Sequence, residues 1–356
     1  SHYNLGLDLG FFGSRLGFSG DAYIRDTKGM ITSGEVVPSV YGASAPQANA
    51  ANLRSQGIEL TLSWKDTFML AGKPFTYGIS VNYSDYITKL TKYNNPARVM
   101  GSYYEGMVFG EIWGFETDGL FASDAEAAEY TKKVDQSFLQ TKLTGGWKGG
   151  DLKIVDRDGD GIISRGAYTV DNPGDLKIIG NDKPRFQYGI NLNASWLGFD
   201  LSLFFQGIGR INWYPPADNQ AFWIAYNRPQ ATYIPKNYMD NVWSEDNVGA
   251  YFPRPRGHLA NTGNTYLTLK NDRYLQNLAY CRLKNLTFGY TLPYRVLEKT
   301  FISQIRLYFT GENLFYLSPL TKVSRYMDPE AMVKQNTFGY YYPYQKSFVA
   351  GIDITF

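Results

Sequence analysis

The chain has 356 residues and a formal net charge of +2, so its charge balance gives no preference for nucleic acid. One cysteine, Cys281, excludes an intrachain disulfide framework and is expected to be a buried structural thiol, and with only two histidines, His2 and His258, zinc binding or histidine-based catalysis is not expected. Aromatic residues make up 16% (29 Tyr and 22 Phe among them), charged residues only 19%, and no run of about 18 apolar residues is present to form a membrane-spanning helix.

Ser1-His2-Tyr3 leads straight into a strand without a signal peptide, as in a mature secreted protein or a piece of something larger. Strict alternation of apolar and polar residues, the mark of a strand with two unlike faces, then recurs along the chain. It predicts a first strand over 3–12, a turn at Gly13-Ser14 and a second strand over 15–25. A Pro/Ala/Ser/Asn-rich excursion follows, over about 28–52. A third strand is expected over 57–65, with Ile58, Leu60, Leu62 and Trp64 on one face. A short link over 66–74 leads to a fourth, with Phe75, Tyr77, Ile79, Val81 and Tyr83 on one face.

A long excursion over about 90–184 carries Ser123 and Glu126, spaced as a helix capping box. The clearest alternation lies over 185–208, where Phe186, Tyr188, Ile190, Leu192, Ala194 and Trp196 oppose polar neighbours. After Leu197-Gly198 it resumes with Phe199, Leu201, Leu203 and Phe205, which makes strands five and six a hairpin. A second excursion runs over 209–279. Strand seven lies near 282–292, strand eight includes Ile305, Leu307 and Phe309, a third excursion covers 314–345, and strand nine ends on Ile352, Ile354 and Phe356.

The connections alternate between short and long throughout, and the long strands have the length that crosses a bilayer at a tilt. Outer-membrane barrels show this asymmetry, with tight periplasmic turns and long extracellular loops. Gly13, Gly72 and Gly198 are therefore expected on the periplasmic side, and Ala43, Ala127 and Ala260 outside. Phe12, Trp64, Trp196, Phe75, Phe199 and Phe356 mark strand ends on the short-turn side, as an aromatic girdle does. A soluble β-sandwich also alternates, but its loops are not sorted by length onto one end, and no fixed period suggests a repeat protein. The expected class is therefore all-β: a transmembrane antiparallel β-barrel portion of about nine strands. An odd count with the last strand ending on the turn side makes residues 1–356 the C-terminal part of a larger barrel. The remaining strands then come from upstream residues or another chain.

The strongest local motif is Asp156-Arg157-Asp158-Gly159-Asp160-Gly161-Ile162-Ile163-Ser164. Carboxylates at positions 1, 3 and 5, glycine at 6 and a backbone carbonyl at 7 suit a hard cation such as Ca2+. Position 12 is Ala167 in place of the usual glutamate, so Asp171 or Asp175 must close the shell. The expected ligands are Asp156, Asp158, Asp160, the carbonyl of Ile162, and Asp171. A solvated Asp/Gly turn is the plainer reading of the same residues.

Several motifs, in order, carry a resemblance to a family. They are Gly110-Glu111-Ile112-Trp113-Gly114-Phe115-Glu116-Thr117-Asp118-Gly119-Leu120-Phe121, the Asp156 loop, and Ile179-Gly180-Asn181-Asp182-Lys183-Pro184-Arg185-Phe186-Gln187-Tyr188-Gly189. Gly198-Phe199-Asp200-Leu201-Ser202 with Gln206-Gly207, Tyr280-Cys281-Arg282-Leu283-Lys284-Asn285-Leu286, and Gly311-Glu312-Asn313-Leu314 complete them. Over nearly all its length the chain resembles the C-terminal part of the barrel of SusC-like TonB-dependent outer-membrane transporters. Ser164 departs from the family, whose members often carry Asp there.

The resemblance implies import of oligosaccharides or peptides, with a SusD-like surface lipoprotein as lid. It also implies coupling to the TonB complex through a plug region that this chain does not include, a barrel wall against outer-membrane lipid, and no catalysis. By the same resemblance, Phe356 would be an assembly signal. Trp213, Tyr214, Trp223 and Tyr226, with Tyr233, Trp243 and Tyr251, lie in the second excursion. They suit substrate stacking or lid contact, or the packing of loops on one another over the barrel mouth. A stand-alone TonB-dependent receptor and a glycan-binding adhesion module are the alternatives; an outer-membrane enzyme would need a catalytic constellation, and none is spaced plausibly.

Overall fold

A computed structural model describes residues 1–33, 42, 46–139, 146–217, 219–226, 234–256, 269–324, 327–332, 342 and 344–356. Ala43, Ala260, Tyr233 and His258 lie outside the described residues. Nine strands form one antiparallel sheet in which every strand pairs with its sequence neighbour. They are β1 His2–Phe11, β2 Leu16–Ser33, β3 Gln47–Leu70, β4 Lys73–Lys92, β5 Arg185–Trp196, β6 Phe199–Arg210, β7 Tyr280–Thr291, β8 Gln304–Leu317 and β9 Ser347–Thr355. Among the described residues β1 and β9 are the two edges of this sheet.

Two of the short links are two-residue turns. Ala71-Gly72 has φ of 51° and 73°, and Leu197-Gly198 has 54° and 85°. Two successive left-handed residues give the turn whose twist matches that of the flanking strands. The expected link over 66–74 is mostly strand: Leu70 pairs with Lys73, and the Phe68 and Phe75 rings lie 5.2 Å apart.

The expected excursion over 28–52 is corrected in the same way, since β2 runs on to Ser33 and β3 begins at Gln47. Residues 47–56, Gln-Ala-Asn-Ala-Ala-Asn-Leu-Arg-Ser-Gln, show no apolar alternation. A strand that stands beyond a bilayer meets water or polar neighbours on both faces, so it need not alternate. At about 3.3 Å per residue β3 is roughly 80 Å long, far more than the ~10 residues that cross a membrane at a tilt.

The sheet has one apolar and one polar face. On the polar face Thr61 donates to Asn82 Oδ1 at 2.9 Å and Ser202 to Asn193 Oδ1 at 3.3 Å. Near the turns Arg306 joins Asp200 (2.7 Å) to Asp353 (3.3 Å). It crosses the bare backbone of Gly289, where a Cβ would lie 2.4 Å from Asp200 Oδ1. The apolar face is left bare: Leu5 is 78% exposed and Ile352 63%, with Leu62, Ile79, Phe288 and Leu307 also open. A sandwich would have buried this face against a second sheet.

Burial is concentrated at the opposite end from the turns. There the three long excursions pack into one cap around Phe115, Phe121, Leu152, Ile154, Ile163, Trp223, Tyr274, Leu320 and Met332. Helix α1, Asp124–Thr131, belongs to it, and Ser123 Oγ accepts from the Glu126 N–H at 3.2 Å, as the capping motif predicts. The Glu126 carboxylate reaches back to the Ala122 N–H at 2.7 Å, one residue beyond the usual capping-box partner, the Ser123 N–H. A smaller core of Ala51, Leu90 and Tyr93 fixes the tops of β3 and β4.

Candidate cation loop and loop-end cap

The Asp156 loop is built by its own carboxylates. Asp156 accepts from the Gly159 and Gly161 N–H groups (2.8 and 2.9 Å), Asp158 from Asp160 (3.3 Å) and Asp160 from Ile162 (2.7 Å). Gly159 and Gly161 have φ of 78° and 80°, which lets the chain coil this tightly. Just past the loop, Ile163 is buried in the cap core and its N–H bonds to the Asp135 carbonyl at 2.8 Å. The loop is therefore anchored while its acidic side stays open.

Asp156, Asp158 and Asp175 bring ligand oxygens to within 4.8 Å of one another. Of the two residues expected to close the shell, Asp175 joins the cluster and Asp171 does not. The Asp171 side chain is 68% exposed and is drawn 2.8 Å from Arg98 instead. Asp175 is fully buried and accepts from the Arg157 and Ser164 N–H groups at 2.6 and 2.7 Å. Burial, then the nearby Asp158 and Asp156 carboxylates, push its carboxyl above the usual range against the pull of those two N–H groups. Asp160 is exposed and stands outside the cluster, and the Ile162 side chain is exposed beside it. Three convergent carboxylates, one of them desolvated, make a donor set of hard oxygens that fits Ca2+.

The aromatic residues of the second excursion are packed together. Trp223 and Tyr226 are buried, so stacking of substrate or a lid on them is corrected. The Trp223 ring lies 5.2 Å from Tyr274 and its N–H donates to the Pro216 carbonyl at 2.9 Å. Tyr226 donates to the Pro253 carbonyl at 2.5 Å. Trp213 and Tyr214 are half-buried. Trp213 packs edge-on to Phe222, and the Tyr214 hydroxyl is held between Asn271 Nδ2 (2.9 Å) and the Leu269 carbonyl (3.0 Å). Helix α2, Gln220–Trp223, carries two of these rings inward because Asn219 caps it, accepting from the Phe222 N–H at 3.0 Å.

Ion pairs that the sequence pattern did not reveal tie the excursions together. Arg256 pairs with the buried Asp151, linking the second excursion to the first. Arg282 of β7 is almost fully buried between Asp328 (2.5 Å) and Glu330 (3.1 Å) of the third, with Lys284 2.7 Å from Glu330. The only signal for this pinning was the pair of cations in Tyr280-Cys281-Arg282-Leu283-Lys284, on a strand otherwise read for its apolar face.

No family model matches the chain. Two curated proteins of Formosa agariphila do: TonB-dependent receptor P3, 26% identical over 99% of this chain, and TonB-dependent receptor P39, 25% identical over 99%. The chain spans about a third of the length of these relatives, 34% and 35% respectively. Among solved structures it is similar to the RagAB peptide transporter, with a TM-score of 0.64, 20% identity and cover of all of this chain and 35% of that one. Structures of the RagAB peptide importer in its open-open and closed-closed states give TM-scores of 0.66 and 0.65 at 22% identity, covering all of this chain and 34% and 35% of theirs. The resemblance to SusC-like TonB-dependent outer-membrane transporters, carried in the sequence by its motifs, holds across the chain, and its fold is similar to that of the matching third of the RagAB structures.

Proposed function

We propose that this chain is the C-terminal wall and loop cap of an outer-membrane TonB-dependent importer. The observation that carries this reading is the division of the molecule: a sheet whose apolar face is uncovered, and a hydrophobic core confined to the loops at one end. The apolar face meets lipid, the polar face lines the interior, and the cap stands outside the cell. No chemical step is assigned to any residue. A plug that engages the TonB complex and the other barrel strands complete the transporter in the remaining two thirds of its relatives' length. The cargo is an oligomeric nutrient, an oligosaccharide or a peptide; the RagAB structures, described as a peptide importer, favour the peptide.

A SusD-like surface lipoprotein is the proposed lid. The cap gives it a broad, pre-ordered platform, and pre-ordering lowers the cost of binding. Ca2+ held by Asp156, Asp158 and Asp175, with Asp160 and the Ile162 carbonyl at its open side, would brace the first excursion for that purpose. Phe356 is proposed to serve assembly. Trp213 and Tyr214, half-buried, are the two of the original four that are not fully enclosed. Gentle detergent extraction of the protein as the cell makes it should yield a lipoprotein at about equal stoichiometry. If it purifies alone, and uptake survives loss of every neighbouring lipoprotein, a stand-alone receptor replaces this reading.

A further inference from the structure

We propose that the connection between β7 and β8, residues 292–303, lies on the phospholipid surface at the turn end and anchors the wall there. This rests on the reading of the apolar face as lipid-facing. The Thr291 N–H donates to the Gly198 carbonyl at 2.8 Å, which places the connection beside the β5–β6 turn. The neighbouring hairpins close in two residues; this one takes twelve, including the single turn α3, Tyr294–Leu297. Hydrogen bonds tie it down at both ends and within. Leu292 N–H donates to Ile305 O (2.9 Å), Thr300 Oγ1 to Leu297 O (2.8 Å) and Ser303 N–H to Thr355 O (2.8 Å).

Only Leu297 of its large apolar side chains is buried. Tyr294, Val296 and Phe301 are 66, 64 and 81% exposed. Phe301 shows where they belong. Its ring stacks on Phe356 at 5.6 Å with 12° between the planes. Phe356 continues the apolar column of Ile352 and Ile354, so Phe301 extends the bare face past the last strand. Exposed Arg295 and Lys299 stand among these residues. Aromatic rings beside cations on long stems are the chemistry of the bilayer interface, where rings sit at headgroup depth and the cations meet phosphate. In water the same patch would be an uncovered liability.

The test uses the full transporter in nanodiscs of phosphatidylcholine and phosphatidylglycerol, in a Cys281→Ser background. Spin labels are placed at Val296→Cys, at Leu307→Cys on the apolar face, and at Ser14→Cys in the β1–β2 turn. Relaxation by oxygen is compared with relaxation by a water-soluble nickel chelate. The oxygen-to-nickel ratio at position 296 is expected to lie between the other two and severalfold above position 14. A ratio equal to that at position 14 overturns the anchor while leaving the lipid-facing wall intact. Shielding from both reagents means that protein covers the patch, and overturns it too. Nickel access at position 307 would remove the wall reading itself, and the anchor with it.

Discussion

Asp175 decides whether the acidic loop is a cation site or a solvated turn. Asp175→Asn should weaken Ca2+ binding at least tenfold, about 1.4 kcal/mol, whereas Asp171→Asn should leave it unchanged. Calorimetric titration of the purified transporter checks both, and the reverse pattern, with binding weakened only by Asp171→Asn, would return the closing position to Asp171. The pH dependence follows from the raised Asp175 pKa. A raised carboxyl pKa favours the protonated form in the fold, so without a cation the loop loses stability as pH rises through the ordinary Asp range to that value. A bound cation needs the ionised form. The stabilisation by Ca2+, read as a Tm difference, should therefore shrink as pH falls below the raised pKa. Trp223 separates packing from stacking: Trp223→Ala should loosen the cap by roughly 3–5 kcal/mol and expose its loops to protease. Uptake lost by Trp223→Ala with full protease resistance would restore a direct role in ligand contact.

At the scale of elements, legibility follows solvent. Strands with unlike faces were readable because lipid and water impose period two, as in Arg185–Trp196 with its partner Phe199–Arg210. The upper halves of β2 and β3 were not, because polar surroundings on both sides leave no such pattern. The Asp156 loop was legible down to its spacing, and the sequence offered both Asp171 and Asp175 beside it; only packing, which buries the second and brings it to the cluster, separates them. The cap aromatics were visible as residues, and their burial depended on contacts between distant excursions, such as Trp223 with Tyr274. The final strand offers a test of its own. Deleting Phe356 should lower the folded, heat-modifiable form on electrophoresis more than it lowers transport per folded molecule. Unchanged folded levels would take away its assembly role.

For the whole molecule, the proposed reading puts the turn end in the periplasm and the cap end outside the cell. Ala127, chosen from sequence as an outside marker, is buried in the cap, so Asp246 on the second excursion serves in its place. Ser14, exposed in the β1–β2 turn, marks the other end. Single cysteines at Asp246→Cys and Ser14→Cys, in a Cys281→Ser background, are exposed on intact cells to a membrane-impermeant thiol reagent. Position 246 should label at once, and position 14 only after the outer membrane is opened. Labelling of position 14 on intact cells, with position 246 protected, would contradict a wall that carries its cap outside.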